Sequence, residues 1–150
     1  MSNDASPALV IDTTTYLPPE MIERHQIKMV SLYVGLDGQQ QRESEISDLD
    51  AFYDRLRSSD ESVTTSQPSV GDFVEVYEPL LEQGREIVSI HISAGISGTY
   101  ESALQARERL STEGKGGERI QVVDSHTGAG GMAMVVIAAA AAIEGGGSAD

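Results

Sequence analysis

The sequence has no cysteine and no tryptophan, and only 10 basic residues stand against 24 acidic ones. Without cysteine there can be no disulfide, thiol nucleophile or thiolate-held metal. The formal net charge of −14 repels phosphate backbones and anionic membrane surfaces, which argues against nucleic-acid binding. Solubility is the simplest use of such acidity, and an acidic docking surface is the alternative. A P-loop is excluded because no Gly-Lys-Ser/Thr triplet occurs. Long apolar runs are scarce too. The longest uncharged stretch, Thr127 to Ile143, starts with glycines, ends in alanines and lacks a basic flank, so it predicts a buried helix rather than a membrane span. Met1 to Pro7 is polar and unlike a signal peptide, so cytoplasmic residence is the expectation.

What is present fits one globular α/β domain, with 39% hydrophobic and 23% charged residues. Ala8–Asp12 reads as a strand ending on the polar cluster Asp12-Thr13-Thr14-Thr15. Pro18 and Pro19 predict the start of a short helix reaching about Gln26, with His25 on its surface. Lys28–Val34 reads as a second strand, turned by Gly35–Gly38 toward a short hairpin partner at Gln39–Glu43. Ser47 and Asp50 predict a capped helix start, with Leu49, Phe52, Tyr53 and Leu56 as the buried stripe of a helix through Arg57. Val63–Pro68 is polar. Ser69 then predicts the N-cap of a helix carrying Val70, Phe73, Val74, Tyr77 and Leu81 at helical spacing, closed near Gly84. Glu86–Ile92 is a strand, followed by a helix to about Leu110, a glycine loop, a strand at Ile120–Asp124, and the apolar helix ending near Ile143.

Strand and helix alternate and the strands are mostly apolar, which predicts a mostly parallel sheet with helices on both faces, a three-layer architecture. Right-handed crossovers then bring Asp12–Thr14, Thr64–Ser66, Ser93–Thr99 and Asp124–Ser125 to one edge. Ligands of open parallel sheets bind at that edge. The residues arriving there are hydroxyls and glycines, with His91 and His126 as the nearby basic candidates. Hydroxyls beside helix N-termini suit a small anion such as a carboxylate or phosphate. Ser97-Gly98-Thr99 is the sharpest case, although Ser97 could equally be a plain helix cap. Thr65 and Ser66 could be only a turn leading into a cap. Asp12 and Asp124 each end a strand, where loop bonding suits them better than a metal. Met132 and Met134 read as core, with the lining of an apolar pocket as the alternative.

Two enzymatic readings remain. Gly95-Ile96-Ser97-Gly98-Thr99 nearly matches the nucleophile elbow G-x-S-x-G, but Thr99 stands where the last glycine belongs, and His126 follows too close behind Asp124 to be read as its base. A phosphotransfer protein using the same edge is the other.

Taken together, these segments resemble the DegV family. The resemblance rests on Ile11-Asp-Thr-Thr14, where the family usually has Asp-Ser-Thr, and on Thr65-Ser-Gln-Pro-Ser69 followed by Asp72-Phe73. It continues through Ile92-Ser93, Ile96-Ser-Gly-Thr-Tyr100 and Val123-Asp-Ser125, so it covers essentially the whole chain. The resemblance implies a fatty-acid-binding carrier without catalysis, metal or cofactor, which buries a long acyl chain and can present its carboxylate to a fatty acid kinase. By motif it implies that Thr65 and Ser97 contact the carboxylate, supported by Ser93, Ser66 and Gly98. It also implies that 1–150 is one α/β domain, the N-terminal lobe of a two-domain protein whose second domain, absent from this chain, supplies basic residues and covers the tail. The apolar last helix is then expected to wall the tail, and its uncovered face to favour self-association.

Overall fold

The structure, a computed structural model, describes residues 6–36, 38–60 and 62–150. Most of the polar start Met1–Pro7 and Asp37 of the glycine turn lie outside the described residues. Every residue of β1 (Ala8–Asp12) and of β6 (Ile87–His91) is buried, as befits central strands covered on both faces. With β2 (Lys28–Val30) and β7 (Ile120–Asp124) they form a parallel sheet in the order β2-β1-β6-β7. Side chains alternate between two cores. Ala8, Val10 and Ile87 pack with Phe73, Tyr77 and Leu81 of α3 (Val70–Glu82) and Ala103, Ala106 and Leu110 of α4 (Thr99–Thr112). Leu9, Ile11, Val88 and Ile90 pack instead with Met132, Val136 and Ala140 of α5 (Ala129–Glu144), beside Met21 and Ile22 of α1 (Pro19–Arg24). The three-layer α/β expectation is met.

Strand order reverses at β1. The chain leaves β1 toward β2 through α1, on one face, and later returns to β6 on the other side of β1. The crevice between the carboxyl ends of β1 and β6 is therefore the switch point where ligands of such sheets bind.

The second expected strand is broken. It divides into β2 and β3 (Tyr33–Leu36), and β3 belongs to a separate antiparallel sheet with β4 (Gln39–Arg42) and β5 (Thr64–Ser66), ordered β4-β3-β5. The break has a local cause. The Leu32 amide donates to the Thr13 hydroxyl at 3.1 Å, and the Ser31 hydroxyl accepts from the Ser44 amide at 3.1 Å. Side-chain bonds thus replace ladder bonds and the chain swings out of the first sheet. Thr64–Ser66, expected in a loop, is a strand paired to Tyr33–Gly35; β-branched threonines suit it.

Four other expectations need correction. Asp48, not Ser47, caps α2 (Leu49–Ser58), accepting from the Ala51 amide at 2.9 Å. The stripe on α2 is only partly covered, since Leu49 is 58% and Tyr53 49% exposed while Phe52 and Leu56 are half-buried. Periodicity marks a stripe but does not supply a surface to cover it. Likewise α5 is buried on one face only, at Met132, Val136 and Ala140, while Met134 is 66% exposed. No helix among the described residues is long and apolar enough to cross a membrane. His25 is largely covered, with Nδ1 3.2 Å from the Glu144 carboxylate.

The small sheet is fastened to α3 through Asp72. Ser69 caps this helix as expected, and Asp72 completes a capping box: the Ser69 hydroxyl accepts from the Asp72 amide, and the Asp72 carboxylate accepts from the Ser69 amide at 2.8 Å. The same carboxylate accepts from the Tyr33 hydroxyl at 3.0 Å and the Arg42 guanidinium at 2.8 Å. Burial pushes the Asp72 carboxyl up, but the Ser69, Tyr33 and Arg42 partners outweigh it and hold the group below its ordinary value. Asp72→Ala removes a cap and frees β3 and β4 together. It is expected to lower stability by about 1–3 kcal/mol and to raise amide exchange in the small sheet before that of β1 and β6. Uniform exchange across both sheets, measured by mass spectrometry, would contradict this role.

Candidate functional site

A cleft of about 330 Å³ opens at the switch point, between the loops leaving β1 and β6 and the small sheet. Thr14 comes from the 3₁₀ turn that follows β1, and Ile92, Ile96, Ser97 and Gly98 from the segment that joins β6 to α4. Thr65, Ser66 and Gln67 come from the end of β5, with Val34 beside Thr65 on β3, Leu32 just before β3 and Glu43 just after β4. Four of the five residues named from sequence, Thr65, Ser66, Ser97 and Gly98, therefore line one cleft. Ser93 does not line it. Its hydroxyl accepts from the Gly95 amide at 3.2 Å and its carbonyl from the amides of Ile96 and Ser97, so it shapes the turn that presents Ser97.

The cleft wall carries hydroxyls and the start of α4. The N-cap is Gly98, which offers no side-chain cap, and the Thr99 amide of the first turn donates to the Ser97 hydroxyl at 3.3 Å, so the positive end of a 14-residue helix begins at the cleft wall. Gly98 sits close against Gln67 with an ordinary φ of −73°. A Cβ at this position would stand 3.0 Å from Nε2 of Gln67. The Ser66 hydroxyl accepts from the Gln40 amide group at 2.8 Å, which leaves its own hydrogen for the cleft. Ser97 shares a 2.9 Å bond with the Thr99 hydroxyl. Leu32, Val34, Ile92 and Ile96 supply apolar wall.

Beneath the cleft lies a polar chain that the sequence did not announce. The Asp12 carboxylate accepts from the Thr14 amide at 2.9 Å, the Thr14 hydroxyl at 2.5 Å, the Ile92 amide at 3.0 Å and Nδ1 of His91 at 3.1 Å. With the Nδ1 hydrogen on Asp12, Nε2 of His91 accepts from Ser89 at 2.7 Å, and the Ser89 oxygen accepts from Tyr77 at 2.6 Å. Asp12, Ser89, His91 and Tyr77 are all fully buried, and the ring of Phe73 packs edge-on to His91 at 4.9 Å. Burial pushes the Asp12 carboxyl up, but the His91 hydrogen bond, with the Thr14 and Ile92 donors, holds it below its ordinary value of 3.8. The chain joins the ends of β1 and β6 and holds Thr14 in the cleft wall.

A sequence model described as "Uncharacterised protein, DegV family" matches residues 6–150. A DegV domain-containing protein of Listeria innocua is 42% identical over 104 residues, which cover 69% of this chain and 37% of that protein. This chain belongs to the DegV family. Among solved structures, the one described as showing fatty acid binding of a DegV family protein from Thermus thermophilus shares 36% identity at a TM-score of 0.83, over 95% of this chain and 49% of that one. A fatty-acid (stearic acid)-binding protein from Eubacterium ventriosum shares 28% identity at a TM-score of 0.86, with the same coverage. The chain thus spans a little over a third of that curated relative and about half of these solved DegV structures.

Within this DegV fold several expected site residues sit elsewhere. His91, read as a basic group at the ligand edge, is buried behind Asp12. His126 is 85% exposed, 3.3 Å from Asp124. Ser97 meets Thr99 rather than either histidine. The arrangement that does resemble a Ser–His–Asp triad is Ser89–His91–Asp12, and its serine is 0% exposed in the core, out of reach of a substrate. Asp124 bonds the loop amides of Ala94 and His126, as expected. No group of three or more His, Asp or Glu among the described residues could hold a metal ion. The helix α5 contributes nothing to the cleft lining, and Met132 lies below the 3₁₀ turn, its sulfur 3.6 Å from the Thr14 and Thr15 hydroxyls. That helix packs along the sheet face rather than at its edge, so it takes no part in the wall of this cleft. Sequence reasoning missed Tyr16 and Glu43 of the lining, which come from segments without a recognisable turn chemistry.

Proposed function

We propose that this chain carries a long-chain fatty acid without transforming it. The hydroxyls of Thr65 and Ser97 hold the acid's carboxyl group, with help from Ser66, Gly98 and the Ser93 turn. The observation that carries this reading is the make-up of the cleft wall: Thr65, Ser66, Ser97 and the start of α4 line it together with Leu32, Val34, Ile92 and Ile96. A polar head with an apolar tail needs that arrangement, as ligand pockets generally pair an apolar lining with a few placed polar groups. The neighbours described as binding fatty acid and stearic acid support the ligand class.

At about 330 Å³ the cleft is at the small end for a ligand pocket, so the acyl tail requires further cover. A second lobe, of the kind that resemblance to longer family members implies, would provide it and would add basic residues. In that form the protein presents the carboxyl group to a fatty acid kinase, in the cytoplasm. Self-association through the exposed face of α5 is a further part of this reading.

Equilibrium dialysis against radiolabelled stearate tests it. Saturable uptake approaching one molecule per chain, with no turnover of a fatty acyl ester, is the expected result. Uptake that never saturates, or ester hydrolysis abolished by Ser97→Ala, would overturn it in favour of the serine hydrolase reading or of no site at all.

A further inference from the structure

We propose that Tyr16 and Ile96 hold the acyl chain at the mouth of the cleft, gripping it between the loop that follows β1 and the loop that follows β6. The inference rests on the fatty-acid reading and adds to it the two side chains that meet the tail.

A single exposed apolar side chain means little, but the position of these two is informative. Tyr16, at 70%, and Ile96, at 68%, are the two most exposed of the large hydrophobic side chains among the described residues, and both line the cleft. One follows β1 and the other follows β6, so each loop at the switch point brings one. Ile96 directly precedes Ser97, one of the two hydroxyls proposed to hold the carboxyl group, and Tyr16 lies two residues past Thr14 of the lining. An acyl chain whose head rests on Ser97 thus starts beside Ile96.

Tyr16 is also held in place at a cost. At the end of the 3₁₀ turn it takes φ 51° and ψ 38°, a left-handed conformation that is unfavourable for a bulky side chain. Among the described residues four other than glycine have a positive φ, and of these Tyr16 alone lines the cleft. Its side chain is braced as well. The Tyr16 hydroxyl donates to Oε1 of Glu43 at 2.8 Å, and Oε2 of Glu43 accepts from the Thr13 hydroxyl at 2.5 Å. Thr13 is anchored in turn, since its oxygen accepts from the Leu32 amide. Neither the strain nor the brace serves the core, because the ring they position stays in water. Local strain of this kind persists where a site makes use of it. An alkyl chain laid against the ring and against Ile96 would bury apolar surface that now faces solvent.

Hydroxyl-radical footprinting of the unaltered chain, read by mass spectrometry, tests the contact directly. Stearate should protect Tyr16 and Ile96 severalfold from oxidation and leave Met134, similarly exposed on α5 at 66%, as reactive as before. Two variants test the consequence. Tyr16→Gly removes the ring and relieves the left-handed backbone, so stearate should bind about tenfold more weakly. Its unfolding midpoint should stay near that of wild type, because relief of the strain offsets the freer unfolded chain. Ile96→Ser should weaken stearate by a similar factor. Unchanged oxidation of Tyr16 and Ile96 with stearate bound, or variants that bind it within about twofold of wild type, would overturn the inference, leave the fatty-acid site intact and make the two side chains a surface for a protein partner. A Tyr16→Gly chain that loses binding and stability together would overturn it by assigning the ring to the fold. If the unaltered chain takes up no stearate, the fatty-acid reading falls and this inference with it.

Discussion

Replacing Asp12 with alanine should destabilise the protein by about 3–5 kcal/mol, the largest effect expected of a single substitution here. Asp12 is fully buried and its carboxylate is the shared acceptor of His91, the Ile92 amide and the Thr14 amide and hydroxyl. Alanine leaves those donors in the core with nothing to accept them, and it unfastens β1 from β6 at the point where the cleft forms. A loss of that size is a large share of the about 5–15 kcal/mol by which a domain is usually stable. Urea unfolding should show a much lower midpoint at an unchanged slope. The carboxyl of Asp12 is held below its ordinary 3.8 in the fold, so its contribution is present above that ordinary value and is lost as the pH falls through the folded one. Wild type should therefore lose stability in the acid limb below about pH 4, and Asp12→Asn should flatten that limb while lowering stability at neutral pH. An Asp12→Ala midpoint within about 1 kcal/mol of wild type would show that the buried chain is dispensable.

The second large effect concerns the ligand. Thr65→Ala combined with Ser97→Ala removes one hydroxyl from β5 and one from the entry to α4, the two elements that face each other across the cleft. Each hydrogen bond to a charged or strongly polar head is worth about 1.5–3 kcal/mol, so the pair should weaken fatty acid binding by roughly 100-fold or more. Neither side chain carries the fold. Thr65 is exposed and Ser97 half-buried, so the unfolding midpoint should stay near that of wild type. A double variant that binds stearate as tightly as wild type would place the head elsewhere. One that loses binding and stability together would mean the hydroxyls serve the fold.

How far the fold could be read in advance depended on how local its causes are. The apolar runs of β1 and β6, the N-cap at Ser69, and the hydroxyl-glycine entry to α4 all have local signatures, and each was legible. The small antiparallel sheet was not. Its separation from the main sheet depends on Thr13 and Ser31 side chains bonding to backbone 13 to 19 residues away, which no window of periodicity reports. Thr65 and Ser97 could be paired in advance through their motifs. Glu43 could not, because a glutamate in a polar segment looks like any solvated charge until Thr13 and Tyr16 are seen to close on it. His91 was misplaced for a related reason: a histidine ending a strand reads as edge chemistry, whereas its neighbour on the same face, Ser89, and the core residues Phe73 and Tyr77 enclose it completely.

The most direct test of the central claim is a crystal structure of the chain with stearate bound. The carboxyl group should lie within hydrogen-bonding distance, about 3 Å, of the Thr65 and Ser97 hydroxyls, with the first carbons of the tail running along Leu32, Val34, Ile92 and Ile96. Density for an acyl chain against the outer face of α5, or a head group at some other loop with the cleft empty, would contradict the account.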